Sequence, residues 1–279
     1  MTVWISPPIV LRWPSQNSGR DTGFDFYLAN AAAAYGWRPP VYDRIASLID
    51  CEHLEAETIA GAALKLAQLS SVDGAVPAVI FDCRNMPAVG SPAPSYKLLS
   101  KVGWLRTIPY ALGWAEGTEV IQAVRLYLAM SSTALGAISA LNWPNGDSGD
   151  KCENTEVAAA CMLGNAPSIK KPRYAILATG YARRQGQRKE AVLAATAEVL
   201  NNAMAVQPRW ICGSQSAIRI LSTIQTDMVR LDNIEADVHY GCVDPLMGLV
   251  ASSAATGPGI IVSGEADCVG ALLVLREGI

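Results

Sequence analysis

Histidine and phenylalanine are nearly absent from this chain: it has two of the first and three of the second in 279 residues. Two histidines, His53 and His239, leave few catalytic options. No Cys-x-x-Cys pair occurs among Cys51, Cys83, Cys152, Cys161, Cys212, Cys242 and Cys268. That excludes zinc-ribbon spacing and a thioredoxin-type redox pair. The cysteine count is odd and several thiols sit inside apolar runs, so reduced, buried thiols of a cytoplasmic protein are expected rather than disulfides. Charge is scarce as well, at 17% of residues with a net −3, and nothing in that balance draws the chain to nucleic acid or an anionic membrane. The start, Met1-Thr-Val-Trp-Ile-Ser-Pro-Pro, has neither the basic nor the long apolar part of a signal peptide. Two stretches lack charge, Leu126–Gly146 and Pro245–Gly264, but Ser, Thr, Gly and Pro interrupt both, so each reads as a buried helix running into loop and strand.

What the chain does have is aliphatic bulk. Hydrophobic residues make up 51%, carried by Ala, Val, Leu and Ile, which with the small net charge excludes disorder. Close-packed helices on largely buried strands, an α/β architecture, suit that profile. Val3–Val10 reads as a strand, and Leu54–Leu69 has its apolar residues at helical spacing. Ala75–Phe81 reads as a buried strand and Tyr96–Val102 as a short helix. Thr118–Met130 is a helix that feeds strands Ala134–Asn142 and Val157–Leu163. After Lys170-Lys171-Pro172 the grammar restarts: strand Tyr174–Gly180, helix Arg188–Met204, strand Trp210–Gly213 and helix Ser216–Met228. Helix Pro245–Ala255 and the strand pair Gly259–Ser263 and Gly270–Leu275 close the chain. Each part thus sets a small-residue-rich helix after a glycine-containing turn and follows it with two strands. Two similar α/β halves are expected, residues 1–165 and 166–279.

The element order and four local strings resemble the ketoacyl synthase III branch of the thiolase superfamily, the condensing enzymes of fatty acid and polyketide synthesis. Ser214-Gln215-Ser216-Ala217-Ile218-Arg219-Ile220 is similar to the family's His-Gln-Ala-Asn-x-Arg-Ile segment. Tyr240-Gly241-Cys242-Val243-Asp244-Pro245 is similar to its Tyr-Gly-Asn-x-Ser segment, and Pro258–Gly264 with Gly270–Leu273 to its last hairpin. Ala115-Glu116-Gly117-Thr118 stands at its nucleophile turn, Cys-x-Gly-x. The resemblance implies a thiolase-like fold with two halves in an αβαβα layering.

It also implies a chemistry that these residues lack. The family uses a cysteine at a helix N-terminus as acyl acceptor, with a histidine and an asparagine binding the thioester oxygen and the enolate. The matching positions here hold Ala115, Ser214 and Cys242: no nucleophile, no imidazole and no amide. The implied function is therefore a non-catalytic subunit paired with an active ketoacyl synthase III-like homologue in specialised fatty acid or polyketide biosynthesis. One alternative is an acyltransferase or thioester hydrolase with a relocated nucleophile, drawing on Cys242, His239 and Asp244 or on Glu116. Against that, Asp244-Pro245 is an ordinary helix start. A homodimeric small-molecule binding protein without turnover is a third reading. Arg183, Arg184 and Arg188 are candidates to meet the phosphates of coenzyme A or the acidic face of an acyl carrier protein, although a basic loop at a helix start is more often simply solvated. No resident cofactor or metal is expected; a coenzyme A or carrier-protein thioester is the expected ligand. The family's glycine-rich last loop here carries Glu265 and Asp267, expected to set two carboxylates near the site, and the chain is expected to be trimmed relative to longer members.

Overall fold

The computed structural model describes residues 2–13, 56–84, 94–113, 117–130, 134–142, 156–203, 206–223, 227–231, 241–264 and 267–277. Among the described residues eleven strands form one sheet: β1 (Val3–Ile5), β2 (Ile9–Trp13), β3 (Val79–Arg84), β4 (Ile108–Gly113), β5 (Gly136–Asn142), β6 (Glu156–Gly164), β7 (Arg173–Arg183), β8 (Trp210–Gly213), β9 (Val229–Arg230), β10 (Pro258–Ser263) and β11 (Cys268–Glu277). The helices among the described residues are α1 (Ala56–Gln68), α2 (Pro94–Val102), α3 (Glu119–Ala129), α4 (Arg188–Asn202), α5 (Gln215–Ser222) and α6 (Asp244–Ala251).

The strands run β4-β3-β5-β6-β1-β7-β11-β10-β8-β9, with β2 added on β6. The pairing senses read alike from either edge. β3 lies parallel to β4 and β5, as β8 lies parallel to β9 and β10. Antiparallel steps follow on both sides, β5-β6-β1 and β10-β11-β7, and β1 meets β7 antiparallel at the centre.

Side-chain alternation along each strand divides the apolar residues into three cores. In β3, Val79, Phe81 and Cys83 face α3 and α6 in a central core, while Ile80 faces α1 and α2. In β10, Ile261 joins the same central core, and Ile260 and Val262 pack under α4 and α5. α3 and α6 thus share the central core, with α1 and α2 packed on the opposite face of β3 and α4 and α5 on the opposite face of β10. Small residues permit the close approach: a Cβ at Gly180 would lie 2.0 Å from the Ala195 carbonyl of α4, and one at Gly270 would lie 2.8 Å from Ile121 of α3. The Tyr174 hydroxyl donates to the Leu249 carbonyl at 2.9 Å, tying β7 to α6.

Three expectations change, and two strands are added. The strand expected over Val3–Val10 is two strands, because Pro7 and Pro8 offer no N–H to a ladder. Ser6 instead exchanges bonds with Met162, through its backbone N–H and its hydroxyl. The helix expected to reach Met228 stops at Ser222, and the one expected over Pro245–Ala255 is α6 followed by a 3-10 turn, Ser252–Ala254. Edge strands β4 and β9 carried no readable pattern; β4 holds Pro109 and is largely exposed. Among the described residues no helix is long and apolar enough to cross a membrane.

Candidate functional site

The carboxyl ends of β3, β5, β8 and β10 gather where the N-termini of α3 and α6 also arrive. Carboxyl ends of parallel strands are the usual ligand side of α/β sheets. The meeting point is built from glycine. Gly117, with φ of 81°, precedes α3, and a Cβ there would sit 3.5 Å from the Gly241 carbonyl and 3.6 Å from Gly264 Cα. The buried Ser263 hydroxyl donates to the Gly117 carbonyl at 2.8 Å, closing the contact between the α3 turn and the end of β10. Three of the strings matched in the sequence thus come together: the turn before α3, the turn before α6 and the loop after β10.

On the β3–β5 side lies Cys242, fully buried in the turn ahead of α6. Its thiol donates to the carbonyls of Leu141 at 3.4 Å and Cys83 at 3.5 Å, the last residues of β5 and β3 but one. Burial pushes this thiol well above the ordinary range, and the Glu119 carboxylate pushes the same way. The Leu141 backbone pulls in the opposite direction, while Asp244 and Asp82 add to the rise. Cys83 is raised likewise, first by burial, then by Cys242, Glu119 and Asp82. Glu119 and Asp244 are both buried, each in the first turn of a central helix. Asp244 and Pro245 do open α6 as a helix start.

On the β8–β10 side, Gly213 bends the chain at φ of 135°, and its backbone passes so near Val262 that a Cβ would lie 1.8 Å from the carbonyl oxygen. Ser214 follows, its N–H donating to the Val262 carbonyl at 2.9 Å. It occupies the N-cap of α5, yet its hydroxyl makes no capping bond and, though buried, has no partner among the described residues. Arg188, at the start of α4, donates from Nη2 to the Gly264 carbonyl at 2.8 Å and from Nε to the Ser216 hydroxyl at 3.1 Å. It therefore ties the start of α4 to the first turn of α5 and to the loop after β10. Arg183 and Arg184 are exposed beside it, and Arg219 lies on the exposed face of α5 that carries Ser216.

Asp267 does not turn toward the meeting point: its carboxylate accepts from the Gly186 N–H at 2.8 Å, capping the loop between β7 and α4. Ala115, Glu116, His53, His239 and Glu265 lie outside the described residues. Sequence reasoning missed Glu119 and Cys83 as neighbours of Cys242. Glu119 had a signal, as an acidic residue right after the Gly117 turn; Cys83 ended an apolar run with nothing to single it out.

No family model matches the sequence, and no curated protein does. Solved structures do match. The 3-oxoacyl-(acyl carrier protein) synthase III of Pseudomonas aeruginosa PAO1 superposes with a TM-score of 0.66 at 14% identity, over 100% of this chain and 99% of that one. The fold is thiolase-like. The same fold matches the acyltransferase ChlB3, with a TM-score of 0.67 at 10% identity over 100% of this chain and 98% of that one. It also matches the HMG synthase of the curacin biosynthetic pathway, solved in complex with holo donor-ACP, with a TM-score of 0.65 at 12% identity over 99% of this chain and 80% of that one. Such identities establish the condensing-enzyme fold and nothing finer about chemistry.

Proposed function

We propose that this chain is a cytoplasmic, non-catalytic ketoacyl synthase III-like subunit that pairs with an active condensing enzyme in specialised fatty acid or polyketide biosynthesis. The state of Cys242 carries the reading. A thiol attacks a thioester as the thiolate, which needs a positive surrounding and access. Cys242 has neither: it is sealed from solvent, donates to two strand carbonyls and faces carboxylates that hold its proton in place. The acidic first turns of α3 and α6 occupy the helix ends whose dipoles would otherwise favour an anionic nucleophile. The like pairing senses of the two sheet edges support two similar halves, residues 1–165 and 166–279, in which one site was kept as structure. In this reading the exposed Arg183 and Arg184, with Arg188 at the start of α4 and exposed Arg219 on α5, meet the phosphates of coenzyme A or an acidic carrier protein.

The test is direct. Purified protein incubated with acyl-coenzyme A or an acyl-carrier thioester should carry no acyl adduct by intact-mass measurement and transfer no acyl group. An adduct mapped to Cys242 would overturn the proposal in favour of a relocated nucleophile. A second reading, a homodimeric binding protein without turnover, draws on the buried Ser214 hydroxyl, since buried polar groups are rarely left unpaired. Saturable coenzyme A-thioester binding by the chain alone, weakened by Ser214→Ala, would favour it.

A further inference from the structure

We propose that the first turn of α5 is a binding site for a small organic carboxylate, held by the Ser214 hydroxyl and the Ala217 N–H beside the Arg188 guanidinium. Ser214 is the N-cap of α5. Its backbone is extended, with φ of −63° and ψ of 133°, and its carbonyl accepts the first helical bond from the Ile218 N–H at 3.0 Å. A serine in this place ordinarily accepts from the N–H of the second or third helical residue, here Ser216 or Ala217. Neither bond is made. Ser214 is 7% exposed and Ala217 is fully buried, yet hydroxyl and N–H stay apart although each could satisfy the other. Among the described residues neither group has another partner. Packing fixes the arrangement: Ala217, Ile218 and Leu221 lie in the core shared with α4 and β10, and the Ser214 N–H is tied to the Val262 carbonyl at 2.9 Å. Native proteins leave few buried polar groups unpaired, so two in one turn mark a place for a third group.

The chemistry of the pair selects that group. A backbone N–H only donates and a hydroxyl can donate as well, so the two together call for an acceptor. Charge makes the acceptor an anion. The amino end of a helix is positive, and Arg188 adds a full positive charge to the same turn, donating to the Ser216 hydroxyl from Nε at 3.1 Å and from Nη2 at 2.5 Å. Two donors suit the two oxygens of a carboxylate, whereas a phosphate would bring further oxygens into a buried place without donors for them. Ser216 is exposed, so the site lies within one helical turn of the surface.

This goes beyond the pairing reading and stands without it. The test uses the full chain with straight-chain carboxylates from acetate to octanoate, and their neutral amides as controls. In NMR titrations at least one acid should bind saturably and move the Ala217 N–H resonance downfield, and the matching amide should not. Ser214→Ala, with circular dichroism showing the fold intact, should weaken that binding at least about tenfold, and Arg188→Gln about threefold or more. A crystal grown with the bound acid should show carboxylate oxygens on the Ser214 hydroxyl and the Ala217 N–H. No saturable binding by any acid, equal binding by the amides, or unchanged binding in either variant would overturn the inference. So would a crystal in which a water alone, or the Ser214 hydroxyl itself, accepts from Ala217. Acyl transfer by the chain alone would instead overturn the proposed function and leave carboxylate binding untouched, so the two failures are distinct.

Discussion

The two sides of the strand-end site differ in what they do with their polar atoms. At the ends of β3 and β5, the Cys242 thiol is spent on two strand carbonyls in a closed, carboxylate-flanked pocket. At the ends of β8 and β10, Arg188 ties α4, α5 and the end of β10 together while the Ser214 hydroxyl has no partner among the described residues. One side binds its polar atoms into the sheet, and the other holds a buried donor that no described residue accepts from. A buried donor with no bond costs stability, so the contrast sets a side closed by its own bonds against one whose hydroxyl is held by none of the described residues.

Substitutions can break or sharpen this contrast. The largest effect is expected on the β8–β10 side from Gly213→Ala: the new Cβ would meet the Val262 carbonyl at 1.8 Å in a backbone region suited to glycine. A loss on the order of 4 kcal/mol or more is expected in urea unfolding. On the β3–β5 side, Cys242→Ala removes buried volume and two weak bonds, for a loss of about 2 kcal/mol by the same measurement. Before denaturation, iodoacetamide should leave Cys242 unlabelled.

The sealed thiols also make the protein lose stability in alkali. Burial raises Cys83, Cys161 and Cys242 above the ordinary thiol value of 9.0. Their contribution is therefore fully present below that value, where folded and unfolded chains both hold the protons. It is lost as pH rises further, because the unfolded chain releases protons that the fold keeps. The urea midpoint should fall above about pH 9, and Cys83→Ser with Cys242→Ser should flatten that fall.

Arg188→Ala, which frees Gly264 from α5 on a partly exposed surface, should cost about 1 kcal/mol. The smallest effect is expected from Ser214→Ala. Deleting an unpartnered buried hydroxyl should leave stability unchanged or raise it by up to about 1 kcal/mol. A clear loss would mean that the hydroxyl has a partner in solution, and that the two sides are more alike than their bonding indicates.

Much of this fold was legible in the sequence because buried strands and amphipathic helices write their periods into it. Strand β8 falls where expected, at Trp210–Gly213, and helix α3 matches Thr118–Met130 within a residue at each end. The edge strands were not legible. Ile108–Gly113 is a strand because β3 lies beside it, and its exposed faces leave no alternation to read. At the site, Ser214 and Cys242 could be picked out by position along the chain, yet neither string indicated that one hydroxyl would lack a partner or that one thiol would turn into the sheet.

The sequence by itself determined a layered α/β chain with few reactive side chains, because apolar period and residue type are local properties. Only the tertiary structure decided what those few side chains do. Bringing Gly117, Gly241 and Gly264 into contact closes loops of more than a hundred residues, and no local pattern encodes the result. Burial and charged neighbours then fix the proton on Cys242, because a thiol's reactivity is set by its dielectric and electrostatic surroundings and not by its place in the chain.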